Sequence, residues 1–155
     1  MKLRLLAVGN RMPGWVTQGV EEYRKRLPRE MALEIVEIAP GPRNKSADPD
    51  RAIRVEGDRL LAKLGKNERV VALDVEGSGW STFSLSQRLR QWQMEGGDVA
   101  LLVGGPDGLD PRCLERASLR WSLSPLTLPH PLVRIMLAEQ LYRGWTLLAG
   151  HPYHR

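Results

Sequence analysis

Among 155 residues there is one cysteine, Cys113, so no intramolecular disulfide can form and no cysteine-rich zinc site can be built. That usage fits a reducing compartment, and a cytoplasmic location is expected. No uninterrupted apolar run is long enough to span a bilayer. The longest apolar-rich stretch, Leu132 to Leu148, carries Arg134, Glu139, Gln140 and Arg143, so no membrane partner is expected. Leu5 to Val8 is too short for a signal-peptide core and runs into Gly9-Asn10-Arg11. The sequence has no G-x-G-x-x-G and no G-x-x-x-x-G-K-[ST], which argues against dinucleotides and nucleoside triphosphates. Repeats, interdomain linkers and hairpin dipeptides are also missing, which disfavours solenoids and antiparallel meanders.

What is present reads as an ordinary globular chain, 42% hydrophobic and 26% charged, of a length that suits one domain over residues 1–155. Basic residues outnumber acidic ones by 23 to 18, and most of the 23 are arginine, whose planar fork suits phosphate. The excess is concentrated before residue 30, in Lys2, Arg4, Arg11, Arg24, Lys25, Arg26 and Arg29 against Glu21 and Glu22. That segment reads either as a solvated helix face or as a grip on nucleic acid.

Periodicity predicts strands at Leu3–Val8, Leu33–Ile38, Val70–Leu73, Val99–Val103 and Leu119–Leu123. Helices are predicted at Trp15–Leu27, from Asp48 or Asp50 to Leu64, at Leu85–Met94 behind a Ser84 cap, at Pro111–Ala117 and at Pro131–Leu148. Glu76-Gly-Ser-Gly79 is expected to be a loop. Strands alternating with helices give an α/β fold: a mainly parallel sheet with helices on both faces.

In such sheets ligands bind beyond the carboxyl ends of strands, which directs attention to the segments after Leu73, Val103 and Leu123. Gly104-Gly-Pro-Asp-Gly108 reads equally as a tight turn and as a loop that admits a ligand to the backbone. Leu123-Ser-Pro-Leu-Thr-Leu-Pro-His-Pro131 must run extended and stiff. It can wall a pocket whose free backbone groups meet an adenine edge, or it can be a buried connector. The tail, His151-Pro-Tyr-His-Arg155, gathers a proton acceptor, a donor and an anion clamp, although termini often fray. Two tail imidazoles without a neighbouring cysteine make a metal site improbable, and none is expected. His130, at a helix start, reads as structural. The last helix carries more apolar surface than one core face needs, with Ile135 and Tyr142 widening its stripe, which predicts a homodimer. The five tryptophans are scattered and read as core or interface; none is assigned to RNA.

The segments KLRLLAVGNRMPGWV, LLVGGPDGLDP, SLSPLTLPHPLVRIMLAEQLYRGW and HPYHR, in this order over the whole chain, resemble the small SPOUT-class ribosomal RNA methyltransferases. Within that class they are similar to the bacterial enzymes that methylate N3 of a pseudouridine in 23S ribosomal RNA. Asp107 departs from the family pattern, which has Glu there. The resemblance implies a C-terminal trefoil knot, a homodimer, and S-adenosylmethionine bound at Leu73, Gly104, Leu123, Ser124, Pro125, Leu126, Thr127 and Leu128. It also implies that the tail of one protomer completes the other's site. On that basis Tyr153, His154 and Arg155 are expected to be catalytic: His154 moves the N3 proton, Arg155 stabilises charge on the base or holds phosphate, and Tyr153 orients the base. Arg24, Lys25 and Arg26 are expected to contact the ribosomal RNA. Two alternatives remain open on the residues alone: a SPOUT methyltransferase acting on another RNA such as tRNA, and a non-catalytic ribosome-binding protein of the same fold.

Overall fold

The computed structural model describes residues 1–46 and 48–154. The apolar runs form β1 (Lys2–Val8), β2 (Ala32–Ile38), β3 (Arg69–Gly79), β4 (Val99–Val103) and β5 (Leu119–Ser122), with β4 buried along its whole length and edge strand β2 partly exposed. They pair parallel in the order β2-β1-β4-β3-β5. The connecting helices are α1 (Gly14–Arg24), α2 (Pro49–Lys63), α3 (Thr82–Glu95), α4 (Pro111–Arg116) and α5 (His130–Ala149). None among the described residues is long and apolar enough to cross a membrane.

Strand periodicity sorts the core into two layers. Leu3, Leu5, Leu101 and Val103 pack against Val16 and Val20 of α1, Leu85 and Leu89 of α3, and Leu137 and Leu141 of α5. Their neighbours Leu6, Val8, Ala100 and Leu102 point the other way, onto Leu60 of α2 and Cys113 of α4. Helices therefore cover both faces, as the strand–helix alternation predicts.

Three boundaries differ from the sequence expectation by more than one residue. Helix α1 stops at Arg24 because the residue before Pro28 is pushed out of helical geometry; the amides of Arg26 and Leu27 instead close a tight turn onto Tyr23 and Arg24. Helix α3 begins at Thr82, with Ser81 as its cap. The Ser81 hydroxyl accepts the Ser84 amide at 3.0 Å, so Ser84 sits inside the first turn while the Thr82 hydroxyl bonds Gln140 of α5. Strand β3 does not end before Glu76: it continues to Gly79 through a bulge, with Trp121 facing Leu73 and then Ser78. The glycine at 77 reads as a loop signal in sequence, but its physical reason is close approach. A Cβ there would lie 2.6 Å from the Arg120 carbonyl carbon.

Replacing Gly77 with Ala forces β3 and β5 apart at the bulge. The expected loss is about 2 kcal/mol, read as a melting temperature lower by roughly 4–8 °C with the far-ultraviolet spectrum unchanged. An unaltered melting temperature would show that the bulge tolerates the extra carbon.

Candidate functional site

The carboxyl ends of β3, β4 and β5 meet in a cavity of about 650 Å³. Leu73, Gly104, Leu123, Ser124, Leu126, Thr127 and Leu128 all line it, while Pro125 is exposed and does not. Three separate segments thus converge, because parallel strands deliver all their following loops to the same edge.

The glycine segment is at once a turn and a cavity wall. The Gly108 amide donates to the Gly105 carbonyl at 3.0 Å, and Gly108 adopts a left-handed φ of 85°. A side chain at Gly104 would strike the Gly108 carbonyl carbon at 2.7 Å. The turn is tethered from outside: Asp107 accepts from Arg43 Nε at 2.9 Å, and Arg43 is anchored in turn on Glu56, which is 2% exposed and also accepts the Gly41 amide at 2.9 Å. The departure from Glu to Asp at 107 therefore keeps a carboxylate within reach of Arg43.

The opposite wall is the proline-rich segment. Ser124 Oγ accepts the Leu126 amide at 2.9 Å, and the Ser122 hydroxyl donates to the Ser124 carbonyl at 3.1 Å. Among the described residues no loop backbone–backbone hydrogen bond engages Thr127 or Leu128, both of which line the cavity, which leaves their backbone groups available to a ligand. Trp121, 3% exposed and stacked on Trp80 at 4.5 Å, also lines the cavity, and its indole nitrogen is buried without a partner among the described residues. Apolar walls, unpaired backbone groups and a spare donor suit a ligand with an adenine ring. No cluster of three or more potential metal ligands occurs among the described residues.

The tail lies elsewhere. Tyr153 packs on Tyr142 at 4.6 Å, donates its hydroxyl to Glu139 Oε1 at 3.1 Å, and carries the Arg143 guanidinium 4.8 Å over its ring. Burial, then the Glu139 carboxylate, pushes its phenol up to about 12. His154 has a buried Nδ1 with no partner among the described residues, and Arg155 lies outside them. Tyr153 thus folds back onto the middle of α5, whereas His130 at the helix's first turn lines the cavity. Glu139, the residue that Tyr153 reaches, stands nine residues after His130, roughly 14 Å along the helix, and neither Tyr153 nor His154 lines the cavity of its own protomer.

Two sequence expectations change weight. Tyr142 is 5% exposed, covered by Tyr23, Trp145 and Tyr153, so much of the apolar excess on α5 is buried within the chain. On α5 Leu132 stays exposed, and elsewhere Trp15, Val75, Phe83, Met94 and Leu126 are exposed among the described residues. Of the basic trio, Arg24 pairs with Glu21, while Lys25 and Arg26 both pair with Glu22, and these contacts hold both carboxyls below their usual range. The cations are therefore not free charges in the isolated chain. Sequence reasoning missed His130 and Trp121 as cavity residues.

The parallel five-stranded sheet, with a glycine turn and a proline-rich wall at its carboxyl edge, fits the SPOUT class that the sequence resembles. A family model described as "Predicted SPOUT methyltransferase" matches residues 1–154. A Legionella pneumophila methyltransferase, solved with bound cofactor SAM, shares the fold at TM-score 0.52 and 13% identity, over 91% of this chain and 65% of that one. Three relatives, each named Ribosomal RNA large subunit methyltransferase H, align over all 155 residues: 69% identical in Chromohalobacter salexigens, 60% in Hahella chejuensis and 59% in Pseudomonas fluorescens, covering 100%, 99% and 100% of those proteins. The chain belongs to the ribosomal RNA large subunit methyltransferase H family of SPOUT methyltransferases.

The raised Tyr153 phenol yields a pH test. A group whose folded value exceeds its ordinary 10.0 stabilises the docked tail fully below that pH and loses the contribution as pH rises through about 12. Ultraviolet titration of wild type minus Tyr153→Phe should show one phenol ionising near 12; ionisation near 10 would mean that the tail is not docked.

Proposed function

We propose that the chain methylates N3 of a pseudouridine in 23S ribosomal RNA of the large subunit, with S-adenosylmethionine as methyl donor, acting in the cytoplasm as a homodimer of one-domain protomers. The full-length 69% identity to a protein named for large-subunit ribosomal RNA methylation carries the reading, and the cavity supports the cofactor. The knot belongs to the same proposal, in the part of the chain that contains the cavity walls.

When bound, S-adenosylmethionine supplies a methyl group on a sulfonium and leaves as S-adenosylhomocysteine. The walls Leu73, Gly104 and Leu123 to Leu128 would hold it, Pro125 through its backbone. Their task is to fix direction, since attack in line with the methyl takes most of its rate from positioning. The tail of the partner protomer supplies the remaining groups. His154 takes or relays the N3 proton, Arg155 stabilises the negative charge left on the base or anchors phosphate, and Tyr153, a neutral phenol over the working pH range, orients the base by hydrogen bonding. That neither Tyr153 nor His154 lines the cavity of its own protomer supports this division, and exposed Trp15 and Leu132 supply uncovered apolar surface for the partner. Arg24, Lys25 and Arg26 contact RNA phosphate by exchanging Glu21 and Glu22 for it, so their contribution is smaller than that of free cations.

Labelled methyl from S-adenosylmethionine, offered with ribosomes, free large subunits and naked ribosomal RNA lacking the modification, should appear at N3 of one pseudouridine. Label on tRNA alone, or none with cofactor bound, would replace the proposed substrate.

A further inference from the structure

Helix α3 turns one stripe of side chains away from the core. Leu85, Leu89 and Trp92 are buried, while Phe83, Gln87, Arg90 and Met94, spaced four, three and four apart, share the opposite face and are all exposed. Phe83 is the chain's single phenylalanine, and at 66% exposure it offers its ring to solvent instead of to the core. Its backbone is held by the Ser86 hydroxyl, which donates to the Phe83 carbonyl at 2.6 Å. The stripe borders a groove of about 430 Å³ walled by Phe83, Gln87, Arg90 and Gln93 of α3 and by Leu147 and Leu148 of α5. Those walls carry a cation and two amides but no carboxylate. The one acidic residue of α3, Glu95, is already engaged: it pairs with Arg69 and accepts from Gln91 Nε2 at 2.9 Å. Arg88 lies 4.2 Å over the Trp80 ring, and neither it nor Arg90 has a carboxylate partner among the described residues. Arg24, Lys25 and Arg26 differ in this respect, since Glu21 and Glu22 answer their charges.

We infer that this groove binds a single-stranded segment of the ribosomal RNA, with an unstacked base lying on the Phe83 ring and a backbone phosphate at Arg90. This rests on the ribosomal RNA reading given above. Single strands are held by aromatic faces for their bases and cations for their phosphates, and seven helical residues set Phe83 and Arg90 about 10 Å apart along α3. Gln87 and Gln93, between and beside them, supply amides for a base edge or a ribose hydroxyl. A second copy of the chain fits the groove less well, because covering the stripe would bury Arg90 without a partner. The groove also opens at a suitable end of the molecule: Leu147 and Leu148 belong to the last turn of α5, from which the tail departs, so a strand held here runs on to the tail.

Two substitutions at exposed positions test the groove without touching the cavity or the tail. Phe83→Leu keeps apolar bulk but removes the flat ring, and Arg90→Gln keeps donors but removes the charge. Methyl transfer to ribosomes lacking the modification is followed for wild type and both variants, with S-adenosylhomocysteine calorimetry and sedimentation as controls. The KM for ribosomes should rise about tenfold for Phe83→Leu and about fivefold for Arg90→Gln, while kcat and S-adenosylhomocysteine affinity stay within about twofold of wild type. Arg90→Gln should also lower the salt dependence of log KM by about 0.7 per log unit, the loss of one single-strand phosphate contact, and Arg90→Lys should restore it. An unchanged KM and salt dependence in both variants would overturn the proposal. So would a changed oligomeric state, which would make the groove a contact between copies of the chain. A photoreactive benzoylphenylalanine in place of Phe83 should cross-link to ribosomal RNA; cross-linking to a ribosomal protein or to a second copy of the chain instead would overturn it directly. If wild type transfers no methyl to ribosomes, the substrate reading itself fails and this inference with it, whereas an active wild type beside unaffected variants overturns this inference alone.

Discussion

The site is organised around one buried guanidinium. Arg134 reaches from α5 to the ends of β1 and β2, and a charge at 3% exposure is tolerable only because the Gly9 carbonyl, the Glu37 carboxylate and the His130 ring occupy its donors. Those bonds pin the first turn of α5 over the carboxyl edge of the sheet. Once that turn is fixed, the rest of the helix can run only between α1 and α3, where Leu137, Ala138 and Leu141 complete the larger core.

From that placement follows the division of the site. The cavity takes its walls from the segments that end β3, β4 and β5, while Tyr153 of the tail docks on the middle of α5, outside those walls. There it is held by Glu139, Arg143 and the Tyr23–Tyr142 stack rather than left to fray. A docked tail loses less conformational freedom when it meets a second surface than a frayed one would. The cation–π contacts of Arg26 with Tyr23 and Tyr142 bring the end of α1 into the same cluster, so the basic segment and the tail form one continuous surface.

Much of this was legible in the residues. Buried parallel strands read as plain apolar runs, so Val99–Val103 is found to the residue, and glycine and proline concentrate where the chain walls the cavity. What was hidden depends on contacts between distant segments. Gly77 looks like a turn until Arg120 is seen against it. Tyr142 looks like spare apolar surface until the tail folds over it. His130 looks like a helix-start residue, because a lone histidine acquires meaning only from Arg134 one turn on and from a cavity wall that sequence alone does not display. The pairing of Arg24 and Arg26 with Glu21 and Glu22 was readable, since residues three and four apart on a helix are neighbours.

The central claim is that cavity and tail act together only between protomers. It is tested most directly by mixing two inactive proteins: one with the cavity filled by Ser124→Trp, the other lacking residues 153–155. If sites are completed across the dimer, methyl transfer reappears on mixing at about a quarter of the wild-type rate, since half of randomly paired dimers are mixed and each has one intact site. A mixture that stays as inactive as its separate components, although subunit exchange has occurred, would contradict the account.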